Sequence, residues 1–330
     1  MSLDPALRAK LTLPAICAPM FLVTGPAMVR EACRAGLVGA LARQNARSVE
    51  QFEGWLKEIR EALDAHVEAH PRARIGPVAV NLRTNFQEDE LKQDLEICKR
   101  YGADIVISAT GDPTELVARV HDWGGKVFHD VISLRFAEKA IRAGADGLNC
   151  VGAGGGGHSG TVSPLALIPR VRQIFDGTIV MAGAISNGAG IRAAEILGAD
   201  LAYLGTRFIA TEEAPVPDEY KQMLVAATSS DLLYTDKVSG VAASWMRASM
   251  AKLGLDPADL PQPQGRGMRY DHLPQGVKPW KNLWSAGQGV ELIHDIPPVA
   301  ELVRRLRAEY VAACEIPSMV AAARLEEALT

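Results

Sequence analysis

Ala143-Gly-Ala-Asp-Gly-Leu-Asn-Cys-Val151 runs straight into Gly152-Ala-Gly-Gly-Gly-Gly-His-Ser-Gly160, and Leu197-Gly-Ala-Asp-Leu-Ala-Tyr-Leu204 runs into Gly205-Thr-Arg-Phe208. Both begin with a Gly that closes a helix and an Asp just outside a strand, the expected helix-to-strand loop. Both continue as a short apolar run without strict alternation, which is how a parallel strand covered on both faces reads. Both end in glycine where the next helix should start.

Working outward, the same unit recurs. Eight apolar runs stand at Ala15–Ala18, Leu37–Leu41, Val78–Leu82, Ile105–Ala109, Lys126–Val131, Gly147–Val151, Ile179–Ala182 and Leu201–Leu204. Helical spacing fills the gaps: Val49, Phe52, Leu56, Ile59 and Leu63 recur every three or four residues, as do Leu91, Leu95 and Cys98. Ser48, Asp112-Pro113 and Ser163-Pro164 read as helix starts. Eight strand–helix units of about 25 residues over Pro14 to Tyr220 predict an α/β fold, a closed (β/α)8 TIM barrel. A doubly wound open sheet is the alternative, but its glycine fingerprint is missing from the first strand–helix turn, which reads Ala-Pro-Met-Phe-Leu-Val-Thr-Gly-Pro from Ala18.

Past Tyr220 the alternation lapses. Residues 229–285 gather Pro257, Pro261, Pro263, Pro274 and Pro279 with Trp245, Trp280 and Trp284, and are expected to form a cap or lid inserted between barrel segments 14–228 and 286–330. Trp245 and Trp280 are expected to shape its substrate entrance. Pro297-Pro298 starts an amphipathic helix through Ala312, and 317–329 suggests another, both expected to cover the barrel's outside.

Composition narrows the function. The 330 residues are 48% hydrophobic and 22% charged with a net charge of −4, so no positive field exists to gather nucleic acid or anionic lipid, and a small molecule is the expected partner. Five cysteines without a CxxC suggest neither a disulfide framework nor a metal site, and read as reduced cytosolic thiols. No stretch approaches the roughly 20 apolar residues of a membrane-spanning helix and no secretory signal is visible, so the expected location is cytoplasmic. The sequence leaves the oligomeric state open, with a homodimer among the options.

Barrel enzymes keep their active sites on the loops after the strands. The loop after strand six is the glycine run that displays His158, an imidazole able to take a proton from carbon or steady an anion near neutral pH. Gly183 after strand seven, and Gly205 and Thr206 after strand eight, stand where barrels hold phosphate on backbone N–H groups. Met20, Asn81 and Asp130 end strands one, three and five on the same face. His129 adjoins Asp130 in a strand, so the two side chains point to opposite faces. His66 and His70 read as a solvated helix end, and His121, His272 and His294 have no partner pattern. GxSxG, HExxH and Walker motifs are absent, which lowers hydrolase, zinc protease and NTPase readings.

Ala18-Pro19-Met20, Val80-Asn81-Leu82, the GGGGHSG of 154–160, the AGAISNG of 182–188, the LGTRF of 204–208 and Trp284-Ser-Ala-Gly-Gln-Gly289 together resemble the nitronate monooxygenase family, formerly called 2-nitropropane dioxygenases. The likeness runs from about Pro14 to Leu306 and keeps the order of all six motifs. It implies an FMN-dependent barrel that oxidises alkyl nitronates with O2 to carbonyl compounds and nitrite. It also implies phosphate on Gly183, Gly205 and Thr206, further flavin contacts at Met20, Asn81, Asp130, Gly156, Gly157, Ala184 and Gln288, and His158 as substrate ligand and α-proton base. Some family members carry Lys where this chain has Asp130, a departure, since a carboxylate cannot replace an ammonium beside an anion. The runner-up is the related FMN enoyl-acyl-carrier-protein reductase group, which uses NAD(P)H in place of O2 as redox partner. A flavin-binding scaffold without turnover is the non-enzyme alternative.

Overall fold

The computed structural model describes residues 2–83, 88–265 and 267–316. Strands β1 (Ala15–Cys17), β2 (Val38–Ala42), β3 (Val78–Arg83), β4 (Ile105–Ala109), β5 (Lys126–Val131), β6 (Gly147–Val151), β8 (Thr178–Ala182) and β9 (Leu201–Leu204) close into a parallel barrel, with β9 pairing back onto β1. β7 (Gly157–His158) lies outside it. The second strand sits one residue later than its apolar run predicts, because Leu37 belongs to the turn that closes the preceding helix.

The helix-to-strand loops show why Gly-Ala-Asp recurs. Gly102, Gly144 and Gly198 adopt φ of 63°, 83° and 103°, left-handed turns that glycine makes without a Cβ penalty. Two residues on, each Asp carboxylate accepts an N–H from the first or second residue of the neighbouring strand: Asp104 from Val78 at 3.0 Å, Asp146 from Val127 at 2.9 Å and Asp200 from Ile179 at 2.9 Å. These bonds pin the strand starts in register at the end of the barrel remote from the active face.

Ile16, Val38, Ala40, Ala79, Ile105, Ile107, Phe128, Val180 and Leu201 fill the barrel interior, and Leu3, Leu7 and Leu11 around the first helix (Pro5–Lys10) join them as a floor. On the helix side, Phe52, Leu56, Ile59 and Leu63 are all buried, as their spacing predicts, along the helix Val49–Ala69, where Ser48 Oγ accepts from Gln51 N–H at 3.2 Å. The helix expected from Pro113 starts one residue later, at Thr114, whose N–H is accepted by the Asp112 carboxylate at 3.0 Å.

The barrel is not complete by Tyr220. The helix in the last slot of the outer ring is Val299–Cys314, which packs against both Gly188–Ile196 and Pro26–Arg34. Val299, Leu302, Val303 and Leu306 are its buried stripe, at about 1.5–3 kcal/mol for each side chain removed from water. Glu309 accepts the Gly188 N–H at 2.7 Å and Tyr310 Oη donates to Glu195 at 2.7 Å, so the chain end is bolted to the seventh unit. The further helix expected over 317–329 lies outside the described residues.

Between the eighth strand and that helix, β10 (Leu232–Thr235) and β11 (Ala243–Met246) form an antiparallel sheet of order β10-β11-β7. The inserted segment therefore adds two strands to the glycine loop that carries His158. It has a core of its own, with Val238, Trp245, Met250, Leu255, Leu260 and Leu283 buried together.

Candidate active site

At the C-terminal mouth of the barrel a cavity of about 390 Å³ collects residues from all eight strand ends and from the inserted segment. Met20, Asn81, Asp130, Gly156, Gly157, His158, Gly183, Ala184, Gly205 and Thr206 all line it. Gln288 does not. It is exposed, its N–H donates to Gly154 O at 2.8 Å, and its neighbours Gly287 and Gly289 face the cavity instead.

The glycine run has a packing role beyond ligand approach. A Cβ on Gly156 would stand 2.9 Å from Gly287 N, and one on Gly287 would stand 2.7 Å from Gly154 O, so two backbones meet here with no room for side chains. Ser285 knots the junction: its Oγ accepts from Gly157 N–H at 2.7 Å and donates to Ser244 O at 2.6 Å, while its carbonyl accepts from Tyr220 Oη at 2.5 Å. Gly188, the last residue of the 182–188 motif, serves the close approach of the last helix, because a Cβ there would collide with Leu306 O and Tyr310 N.

His158 is held by backbone pairing, opposite Ala243 across β7 and β11, not by a free loop. Its ring opens on the cavity, 5.2 Å and nearly edge-on from the Trp280 ring, and its Nε2 lies 3.2 Å from Ser239 Oγ. The surrounding walls desolvate the imidazole and push its pKa below the ordinary histidine range, so the neutral, proton-accepting form prevails at neutral pH. Trp280 is the centre of an aromatic wall with Phe21 at 6.3 Å and Tyr270 at 6.2 Å. Trp245, expected to shape the entrance, is fully buried behind Trp280 at 4.8 Å and supports the wall without facing the cavity.

Asp130 reaches the cavity from inside the barrel, with Asn149 Nδ2 donating to its Oδ1 at 2.8 Å. Burial raises its carboxyl to about 6, the Asn149 hydrogen bond opposing this only in part. His129 faces the other side of the strand, as the alternation requires, with Nδ1 2.8 Å from Ser108 Oγ.

Several lining atoms lack partners. Gln44 Oε1 and Ser186 Oγ are buried without a hydrogen bond among the described residues, a costly state for a protein atom unless a ligand supplies the partner. The N–H groups of Gly183, Ala184, Gly205 and Thr206 likewise have no partner among the described residues, and they converge with Ser186 on the ends of β8 and β9. Thr206 Oγ1 accepts from Gly287 N–H at 2.9 Å, which leaves its own proton free to donate. Among the described residues, four other than glycine take positive φ, namely Leu22, Thr110, Ala184 and Trp280, and the last three line the cavity. Backbone strain is therefore concentrated at this site.

The sequence reading passed over Gln44, Ser186, Tyr203, Ser239, Ser285 and Tyr270. Gln44 follows the end of β2, where the strand-end rule applied elsewhere would have found it. Ser239, in the turn between β10 and β11, carried no comparable signal.

The model of the family described as nitronate monooxygenase matches residues 5–309. A nitronate monooxygenase from Paraburkholderia phytofirmans is 27% identical over 346 aligned positions, covering 90% of this chain and 92% of that protein. A (3aS,4S,5R,7aS)-5-hydroxy-7a-methyl-1-oxo-octahydro-1H-indene-4-carboxyl-CoA dehydrogenase from Rhodococcus jostii is 30% identical over 228 residues, 69% of this chain but only 61% of that protein's length. Two solved structures share the fold: a nitroalkane oxidase from Streptomyces ansochromogenes, with TM-score 0.76 and 23% identity over 94% of this chain and 99% of that one, and FabK from Thermotoga maritima, with TM-score 0.75 and 22% identity over 96% and 97%. With the motifs in place on a (β/α)8 barrel and the family model spanning nearly the whole chain, the protein belongs to the nitronate monooxygenase family.

Proposed function

We propose that the protein is an FMN-dependent enzyme that oxidises alkyl nitronates with O2 to carbonyl compounds and nitrite. The observation that carries this is the convergence of a desolvated, neutral His158 with an unsatisfied polar cradle in one cavity of a nitronate monooxygenase fold. The unpaired N–H groups of Gly183, Ala184, Gly205 and Thr206 suit a terminal phosphate, and Gln44 Oε1 is an acceptor awaiting a ring or ribityl donor. This chain's first strand–helix turn lacks a dinucleotide fingerprint, which favours FMN over FAD. Bound FMN would supply the electron transfer between substrate and O2.

The chain's own residues supply the rest. His158, neutral at pH 7, can take the α-proton of a nitroalkane or, without proton transfer, hydrogen-bond a nitronate that arrives already ionised. Trp280, Phe21 and Tyr270 make an apolar wall for the alkyl part, and residues 229–285 act as the cap that holds this wall over the barrel mouth.

A second reading is favoured by Asp130, a carboxylate facing a cavity meant for an anion, and by the relative named for dehydrogenation of a CoA thioester. In that reading the flavin exchanges electrons with a carbon–carbon bond of a neutral acyl substrate, with NAD(P)H as the other redox partner. Anaerobic mixing of the yellow protein with a nitronate, and separately with NAD(P)H, separates the two. Bleaching by the nitronate followed by nitrite release in air supports the first reading. Bleaching by NAD(P)H alone overturns it.

A further inference from the structure

We infer that Ser239 fixes the tautomer of His158, so that Nδ1 is the nitrogen that acts on the substrate. The inference rests on the reading of His158 as the proton-accepting group of this site. Ser239 is fully buried in the turn between β10 and β11, and its hydroxyl carries a single proton. That proton is donated to Val241 O at 2.8 Å, and Val241 O has no other donor among the described residues. The contact of 3.2 Å between Ser239 Oγ and His158 Nε2 must then run the other way, with Nε2–H donating to the serine lone pair. Nδ1 is left as the unprotonated nitrogen and has no partner among the described residues.

Three restraints keep the ring in this state. The His158 backbone is paired with Ala243, the Trp280 ring packs against the imidazole at 5.2 Å and a steep angle, and Tyr234 Oη donates to the carbonyl of Ser159 at 2.5 Å. All three partners, like Ser239, come from the inserted segment, so the cap would prepare the base as well as cover the site. When Nδ1 takes the α-proton, the C–H electron pair moves onto the nitro group to give the nitronate. The ring becomes imidazolium, with Nε2–H still donated to Ser239. The serine acts through the histidine and is a positioning residue, the role that a second hydrogen bond commonly plays in setting a histidine's tautomer.

The test uses flavin-loaded protein with 15N-labelled histidine, the His158 signals being assigned by their loss in His158→Asn. Long-range 1H–15N correlations at about pH 7.5, where the imidazole is neutral, should show one species protonated on Nε2, with Nδ1 unprotonated. A His158 protonated on Nδ1 overturns the proposal. Ser239→Ala should turn the single species into an averaged mixture and lower kcat/KM on a neutral nitroalkane about 10-fold, the factor expected for one lost hydrogen bond. Activity on the pre-formed nitronate should change much less, and Ser239→Thr, which restores a hydroxyl, should recover the single tautomer. An unchanged tautomer and unchanged rates in Ser239→Ala would also overturn it. A protein inactive toward every nitro compound would sink the proposed reaction, while the tautomer measurement would still decide the role of Ser239.

Discussion

Replacing Asp130 by Asn should make the flavin-free protein more stable at pH 8 and no more stable near pH 4. In the folded chain the Asp130 carboxyl titrates at about 6, against an ordinary value of 3.8, because the barrel interior desolvates it. Between these two values the folded state holds a proton that the unfolded chain has released. Stability from this group is therefore greatest below pH 4, falls as pH rises toward 6, and levels off above that at its lowest value. At about 1.4 kcal/mol per pH unit, the gap is worth about 3 kcal/mol, an upper figure because one side of the carboxyl meets the cavity. Asn keeps an oxygen to accept from Asn149 and has no charge to desolvate. With an unfolding entropy of about 2.1 cal/mol/K per residue over 330 residues, the full gain would raise Tm by about 4 °C. Thermal unfolding followed by circular dichroism from pH 4.5 to 8 measures it. A gain of the same size at every pH, or none at pH 8, would refute the reasoning that burial of this carboxylate costs stability.

Four other outcomes are expected. His158→Asn should lower kcat/KM on a neutral nitroalkane by roughly 10² to 10⁴ while affecting a pre-formed nitronate far less; equal losses with flavin retained would leave the histidine an electrostatic role only. Because desolvation lowers the His158 pKa, the acid limb of kcat/KM on nitroalkanes should fall below the ordinary imidazole value, with activity present above it and lost as pH drops through it; a limb above pH 6.5 would contradict the assigned environment. Trp280→Ala should change KM and substrate preference, whereas Trp245→Ala, which empties a fully buried site, should cost about 3–5 kcal/mol in denaturant melts; the reverse pattern would reverse their roles. Gly188→Ala places a methyl against the backbone of the last helix and should destabilise by about 1–3 kcal/mol, read from the urea midpoint, with flavin affinity unchanged; selective flavin loss would give Gly188 a role in the cofactor site instead.

The barrel was legible because each unit writes its own boundaries. A buried parallel strand needs an unbroken apolar run, a helix needs a stripe, and the turns at Gly102, Gly144 and Gly198 need glycine, all within about 25 residues of chain. The strand-end rule then placed His158, Asn81, Asp130, Gly183, Gly205 and Thr206 on one face, since in a barrel every strand delivers its C-terminal end to the same rim. What tertiary structure alone decided are the meetings between segments distant along the chain. Val299–Cys314 became the eighth outer helix because that slot stayed open until the chain returned to it. The glycine run met the Trp284–Gly289 segment backbone to backbone, and Trp245 turned inward behind Trp280. Ser239 reached His158 across 81 residues through a sheet that neither segment's pattern announces, because two residues of β7 are too few to show a period. Local patterns report which side of an element meets water. Which two elements share a wall depends on how the whole chain closes.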